Sequence, residues 1–169
     1  MNKSIFYKIK RENIKTGDLF FTASDSLVSR FIRFFTRSKV SHTGMFVWTK
    51  WKNEKRLMCV ENVMDGFRTT FSSAYIENCK ANGETFYFGG MEEQKIPKEY
   101  KILQRVEAYS GRQYDTAGAL VSLFRQNQNK NFYCSEFVAK CLDLRKNASE
   151  KGFTPDDLAE LCVEFNKIV

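Results

Sequence analysis

Tyr133-Cys134-Ser135-Glu136 opens the part of the chain that says most about its fold and its chemistry. From Cys134 to Leu144 apolar side chains recur at helical spacing, so the sequence predicts a helix that begins at Cys134. Unpaired backbone N–H groups and the positive end of the helix dipole meet at such a position, and both favour a thiolate. Cys134 is therefore a candidate nucleophile, although a small buried apolar residue would fit the same pattern. The other cysteines have no such context, and we interpret them as structural.

The only histidine, His42, lies upstream of this cysteine in a segment that predicts one strand of a β-hairpin. Ser41 to Trp48 and Leu57 to Val63 are rich in strand-forming residues, and the polar stretch Thr49 to Arg56 between them predicts the loop. Side chains alternate between the two faces of a strand, so Gly44 shares the face of His42. Having no side chain, that glycine leaves room beside the imidazole.

Cross-strand pairing decides which side chain lies next to His42. If Trp48 pairs with Leu57, then Glu61 lies diagonally next to His42 on the same face of the sheet. A register shifted by an odd number of residues would put Asn62 there instead. Either side chain is able to orient an imidazole, which is the third role in a set of nucleophile, base and orienting group. Taken alone, a strand histidine beside a glutamate is more often a structural hydrogen bond.

A second helix is predicted from Leu27 to Arg37, after the capping residues Ser24-Asp25-Ser26. Its apolar residues are Leu27, Phe31, Phe34 and Phe35, and its basic residues are Arg30, Arg33 and Arg37. We expect the apolar face to pack on the core and the basic face, continued by Lys39, to point outwards. Arg30 and Arg33 are then candidate substrate-binding residues that would attract a carboxylate, a phosphate or an anionic membrane surface. A solvated helix face explains the same pattern.

The remaining elements complete a mixed architecture. The sequence further predicts strands at Asp18 to Phe21, at Phe67 to Phe71 after an Asp65-Gly66 turn, and at Glu84 to Phe88. It predicts helices from Pro97 to Gly111 and from Ala117 to Phe124, a loop from Arg125 to Asn131, and a helix that starts at Thr154. This order of elements predicts an α+β fold. With 169 residues, 43% of them hydrophobic, we expect a single domain that spans residues 1–169.

The charge balance favours anionic partners without naming one. Lys and Arg outnumber Asp and Glu by 27 to 20, which gives a net charge of +7; nucleic acid, anionic lipid and acidic cell-wall peptide all fit. The basic N-terminal stretch lacks the apolar core of a signal peptide, and no run is long enough to span a bilayer, so we expect a soluble, cytoplasmic protein. Five cysteines without a C-x-x-C pair indicate reduced thiols, and a single histidine argues against a catalytic zinc site.

Several motifs that are weak individually are specific as an ordered set. They are Gly17-Asp18-Leu19-Phe20-Phe21, Ser26 to Thr36, Ser41-His42-Thr43-Gly44, Glu61, Gly111-Arg112-Gln113-Tyr114-Asp115 and Tyr133-Cys134-Ser135-Glu136. Together they resemble the circularly permuted branch of the NlpC-type papain-like cysteine hydrolases, which includes bacterial YiiX-like proteins and a poxvirus family. In that branch the histidine strand precedes the cysteine helix, as it does here. The resemblance implies a papain-like fold, with a small antiparallel sheet or partial barrel packed against helices.

The resemblance also implies a role for each candidate residue. Cys134 would be the nucleophile, His42 the general base and then the acid, and Glu61 the residue that orients the imidazole. The backbone N–H of Cys134 would help to bind the oxyanion. Tyr114 is similar to a tyrosine near the active site of related enzymes, with a core aromatic as its alternative role. Tyr133, next to the nucleophile, is a further candidate for substrate binding.

These expectations lead to a cysteine hydrolase that cleaves an amide, with a peptide or isopeptide bond as the leading substrate and no cofactor. Lipid deacylation or acyl transfer by the same triad is an alternative, since lecithin:retinol acyltransferase and its relatives share the permuted architecture. A non-catalytic module that binds an anionic partner is another. The expected partners are therefore a peptide, a peptide conjugate or a lipid substrate, with an anionic surface as a further candidate and no specific nucleic acid binding.

Overall fold

Residues 10–111, 133–144 and 152–169 are described by the structure, which is a computed structural model. Within these ranges the strands are β1 (Leu19–Ala23), β2 (His42–Trp51), β3 (Glu54–Val63), β4 (Gly66–Phe71), β5 (Thr85–Met91) and β6 (Cys162–Lys167). The helices are α1 (Leu27–Thr36), α2 (Ser72–Ala81), α3 (Glu99–Tyr109), α4 (Cys134–Cys141) and α5 (Pro155–Glu160). The strands form one antiparallel sheet in the order β4-β3-β2-β1-β5-β6. The α+β class predicted from the sequence is confirmed.

Different helices cover the two faces of the sheet because alternate residues of each strand point to opposite faces. Phe21 of β1 belongs to a buried cluster that includes Phe137 of α4 and Leu158 of α5. The preceding residue, Phe20, points the other way and belongs to a second cluster with Tyr75 of α2. The core therefore consists of two apolar layers with the sheet between them.

The β2–β3 hairpin has the predicted register but a shorter loop. Trp48 pairs with Leu57 as expected, while both strands extend until only Lys52 and Asn53 form the turn. Both turn residues have positive φ, 47° and 63°, as in a type I′ turn, whose twist matches that of the flanking strands. The loop predicted from Thr49 to Arg56 was wrong because polar residues at an exposed hairpin end still pair through their backbones.

The described residues contain two elements that the sequence did not predict, β6 and α2. The helix predicted to start at Thr154 does so, with a capping box between Thr154 and Asp157, but it ends at Glu160 and the chain continues as β6, which was not predicted. Helix α2 was also missed, although it buries one side against the sheet. The predicted helix Ala117 to Phe124 and loop Arg125 to Asn131 lie outside the described residues. Within the described ranges, no helix is long and apolar enough to cross a membrane.

Helix α1 forms where it was predicted but faces the other way. Leu27, Phe31 and Phe34, which we expected to pack on the core, are 84%, 46% and 78% exposed. The buried side carries Ser29, whose Oγ lies 2.6 Å from Oγ of Ser41. Periodicity shows that two faces of a helix differ, but it does not show which face meets the sheet. The predicted orientation was wrong: the side of α1 that carries Ser29 is buried, and the side that carries Leu27, Phe31 and Phe34 is exposed.

Candidate active site

Glu61 of β3 is the buried centre of a hydrogen-bonded cluster at one end of the sheet. Its carboxylate is fully buried, and Oε2 lies 2.6 Å from Nε2 of His42 and accepts a 2.8 Å hydrogen bond from the Tyr75 hydroxyl. Nε of Arg68 donates to Oε1 over 2.6 Å. Burial raises the pKa of Glu61, but the hydrogen bond and charge of His42, the charge of Arg68 and the Tyr75 hydrogen bond lower it below its ordinary value. Glu61 is therefore a carboxylate at neutral pH.

His42 begins β2 and lies between this carboxylate and Cys134. Its side chain is 21% exposed, and its ring centroid lies 6.5 Å from that of Phe20. Nε2 faces Glu61, which leaves Nδ1 for the hydrogen bond with the Cys134 side chain. Burial lowers the pKa of His42, but the charge and hydrogen bond of Cys134, followed by those of Glu61, raise it to about 10. The imidazole therefore carries a proton on each nitrogen at neutral pH.

Cys134 is the first residue of α4, as the sequence predicted. Tyr133 before it is extended and makes no side-chain capping hydrogen bond, so the N–H groups of the first turn remain for other acceptors. Burial raises the pKa of Cys134, but the charge and hydrogen bond of His42 and the backbone N–H groups of Thr43 and Ser135 lower it below its ordinary value. The surroundings of Cys134 therefore favour its thiolate beside the imidazolium of His42.

Gly44 allows an aromatic ring to pack directly behind the imidazole. A Cβ at this position would meet the Phe20 ring and would lie 2.7 Å from the backbone oxygen of Val60. The space that the sequence predicted beside His42 is therefore filled by Phe20. A rigid ring on this side helps to hold the imidazole in line with its two partners.

Arg68 and Tyr75 are functional candidates that sequence reasoning missed. Arg68 is the direct cross-strand partner of Glu61, and counting pairs outward from the predicted Asp65-Gly66 turn would have found it. Tyr75 lies on α2, for which no pattern was recognised, so the sequence carried no comparable signal. Both residues act on the site through Glu61.

The predicted substrate-binding residues have different surroundings. Tyr133 is buried, and its hydroxyl lies against Gly152, so the ring supports the start of α4. Arg30 is exposed on α1, while Nη2 of Arg33 donates to the backbone oxygen of Ser24 over 2.9 Å. Tyr114 lies outside the described residues. A role in substrate binding stays a prediction for all four predicted residues.

The thiol at a helix start, the strand-borne imidazole and the buried carboxylate define a site of the papain-like cysteine hydrolase class. Residues 13–157 match the family of permuted papain-like amidase enzymes, YaeF/YiiX, C92 family. The chain belongs to this family, which confirms the predicted permuted relationship. No curated protein matches the sequence.

A solved structure provides a second comparison. The fold is similar to that of metalloprotein yiiX from Escherichia coli O157:H7, with a TM-score of 0.57 and 26% sequence identity. The similarity covers 76% of this chain and 64% of that chain. This chain therefore matches less than two thirds of the length of that relative.

That relative is called a metalloprotein, and a metal ion needs several ligands from side chains such as His, Cys, Asp and Glu. In the described ranges no group of three or more His, Cys, Asp and Glu side chains is arranged to hold one. Glu61 already bonds to His42, Arg68 and Tyr75. The described residues of this site therefore offer no cluster of metal ligands.

Proposed function

We propose that the chain is a cysteine amidase with Cys134 as nucleophile, His42 as proton carrier and Glu61 as orienting carboxylate. The observation that carries the proposal is the bonded row Glu61–His42–Cys134. In it, Nε2 lies 2.6 Å from the carboxylate and the other ring nitrogen is left for a thiol at a helix start. Membership in a family of permuted papain-like amidases supports the same class of reaction.

In the proposed reaction, the thiolate of Cys134 attacks the carbonyl carbon of an amide. The electron pair of the C=O bond moves to oxygen, which accepts a hydrogen bond from the backbone N–H of Cys134. The C–N bond then breaks, His42 gives its proton to the leaving nitrogen, and a thioester joins the acyl group to the enzyme. His42 thus acts first as an acid, because its raised pKa leaves it protonated before the attack.

Hydrolysis of the thioester completes the cycle. Nδ1 of the now neutral His42 takes a proton from water as the water oxygen attacks the acyl carbon. The C–S bond breaks, the carboxylic acid leaves, and the thiolate and imidazolium are restored. Throughout, Glu61 stays ionised, fixes the ring through Nε2–H and stabilises the imidazolium.

A peptide or isopeptide bond is the substrate class that we propose first, because it is an amide. To test this, purified protein would be offered peptide libraries, isopeptide-linked conjugates and fatty-acyl esters, with product release measured by mass spectrometry. Cys134→Ser should reduce amide turnover by about 10⁴-fold or more. Cys141→Ser is the matched control, since this cysteine is buried on the same helix without a described role in the row.

The acyl intermediate gives a second readout. A slowly hydrolysed amide or activated ester should leave the mass of its acyl group on the peptide that contains Cys134. Turnover that survives Cys134→Ser would refute the proposed mechanism, whereas activity on esters alone would move the substrate from amides to acyl lipids.

A further inference from the structure

Helix α1 presents an apolar stripe to solvent. Leu27, Phe31 and Phe34 are spaced four and three residues apart, which puts them on one side of a helix. They are 84%, 46% and 78% exposed, so the contacts that they make leave much of each side chain in water. Single exposed apolar residues are ordinary, but three along one side of one helix form a patch of the kind that marks an interaction surface.

Cations border this stripe. Arg30 is exposed, and on a helical wheel it lies within about a quarter turn of the stripe. Arg37, which caps the end of α1 in a left-handed conformation, is exposed too. Lys39 follows just beyond the helix and is exposed as well. Arg33 lies farther round and turns away, since its Nη2 donates to the backbone oxygen of Ser24. The outer surface of α1 is therefore apolar along its middle and positive at its edge.

The buried side of α1 links this surface to the active site. Ser29 lies opposite the stripe, and its Oγ is 2.6 Å from Oγ of Ser41. The Ser41 hydroxyl also donates to the backbone oxygen of Thr22 over 3.3 Å, which ties it to β1. Ser41 directly precedes His42 in the chain, so a surface that contacts α1 is held close to the imidazole.

We propose that α1 docks the protein on an anionic lipid surface through Leu27, Phe31 and Phe34, with Arg30 and Lys39 at the rim. A helix with an apolar side and cationic edges lies in the plane of a membrane interface. Its rings enter the acyl boundary while the long cationic side chains extend to the headgroups. The net charge of +7 adds a long-range attraction.

Charge favours a lipid surface over a second copy of the chain. A second copy of the chain would bring its own net charge of +7, with its own Arg30 and Arg37, to the interface, and like charges across an interface are unfavourable. An anionic bilayer supplies the opposite charge together with an apolar layer. The docking does not depend on the proposed amidase reaction, so Cys134→Ser should bind to vesicles as well as the unmodified protein does.

Vesicle co-sedimentation tests the proposal. The full chain should bind phosphatidylcholine vesicles that contain phosphatidylserine, should bind pure phosphatidylcholine vesicles much more weakly, and should be released by salt. Leu27→Ser with Phe34→Ser should lower the partition coefficient by about tenfold or more. Arg30→Glu with Lys39→Glu should lower it by roughly fivefold for each positive charge removed.

Matched variants on other surfaces separate docking from general effects. Leu103→Ser with Val163→Ser removes two exposed apolar side chains elsewhere, and Lys50→Glu with Lys101→Glu gives the same net charge as the α1 reversal from other exposed positions. Both controls should retain most of the binding. Absence of binding to the anionic vesicles overturns the proposal, and so do equal losses in the α1 and control variants. Concentration-dependent dimerisation that is lost only in the α1 variants would assign the stripe to a second copy instead.

Discussion

Cys134 and Cys141 lie at opposite ends of α4 and are both buried, yet their thiols differ in acidity. Burial raises the pKa of Cys141 to about 12, opposed only by the positive charge of Arg105. At Cys134 burial acts in the same direction, but the imidazolium of His42 and the backbone N–H groups bring the pKa below its ordinary value. Burial alone therefore does not decide whether a cysteine is reactive; the groups that face its sulfur do.

Removing the imidazole should have the largest effect on the difference in acidity between Cys134 and Cys141. His42→Ala removes the charge and the hydrogen bond that lower the pKa of Cys134, while burial continues to raise it. The pKa of this thiol should therefore rise towards that of Cys141. The thiolate is the form that iodoacetamide alkylates, so labelling of Cys134 near neutral pH should slow by about 10–100-fold. Mass spectrometry of the labelled peptides, from about pH 5 to about pH 9, measures this rate.

The pH dependence of labelling gives the sign of the effect. In the unmodified protein Cys134 should stay reactive as the pH falls below the range where ordinary thiols take up a proton, because its pKa is lowered. Cys141 should stay unlabelled throughout, because its pKa of about 12 keeps it protonated. His42→Gln, which has no titrating group, is the second variant. Equal pH profiles for Cys134 in the unmodified and His42 variants would show that the imidazole does not activate the thiol.

Neutralising the orienting carboxylate should have a smaller effect. Glu61→Gln keeps an oxygen for Nε2–H but removes the negative charge that, after Cys134, raises the pKa of His42. The imidazolium should then lose its proton at a lower pH. We therefore expect the descending limb of kcat/KM, expected near pH 10 in the unmodified protein from the pKa of His42, to move to lower pH. We expect kcat to fall by about 10²-fold near neutral pH.

A surface carboxylate on the same strand is the control for this change. Glu54 pairs with Arg56 at the exposed start of β3, where an ion pair contributes little to stability. Glu54→Gln should leave both limbs of the pH profile in place. If Glu61→Gln also leaves the descending limb unmoved, the carboxylate does not set the proton affinity of the imidazole.

The parts of the site that lie on the hairpin were predictable from the sequence. Alternation of side chains and pairing of Trp48 with Leu57 place His42 and Glu61 on one face, and the structure has this pairing. The choice between Glu61 and Asn62 follows from the register, because a shift by one residue moves every side chain to the other face. Local periodicity therefore predicts contacts that lie within one supersecondary unit.

Two features that depend on packing between distant segments had no signal in the sequence pattern. Tyr75 reaches Glu61 only because α2 packs on the same face of the sheet. In the observed orientation of α1, Ser29 contacts Ser41. Neither residue belongs to the apolar pattern from which the orientation was predicted. Polar contacts between buried side chains depend on geometry that no sequence periodicity encodes.

Removing one support of Glu61 should have the smallest effect, because the carboxylate keeps its bond to His42. In Arg68→Ala, Glu61 loses a charge that lowers its pKa, but it retains the Tyr75 hydroxyl and the imidazole. In Tyr75→Phe it loses one hydrogen bond and keeps Arg68. We expect each variant to reduce kcat by about threefold to tenfold, with little change in KM, because a carboxylate with fewer partners holds the imidazole less firmly. Arg68→Lys should recover part of the loss, since the charge returns without the fork of donors.

Arg56→Ala is the matched control, because it removes an arginine that pairs with exposed Glu54. If Arg56→Ala and Arg68→Ala reduce kcat equally, Arg68 supports the fold of the sheet edge rather than the position of His42, and the row of groups that distinguishes Cys134 from Cys141 ends at Glu61.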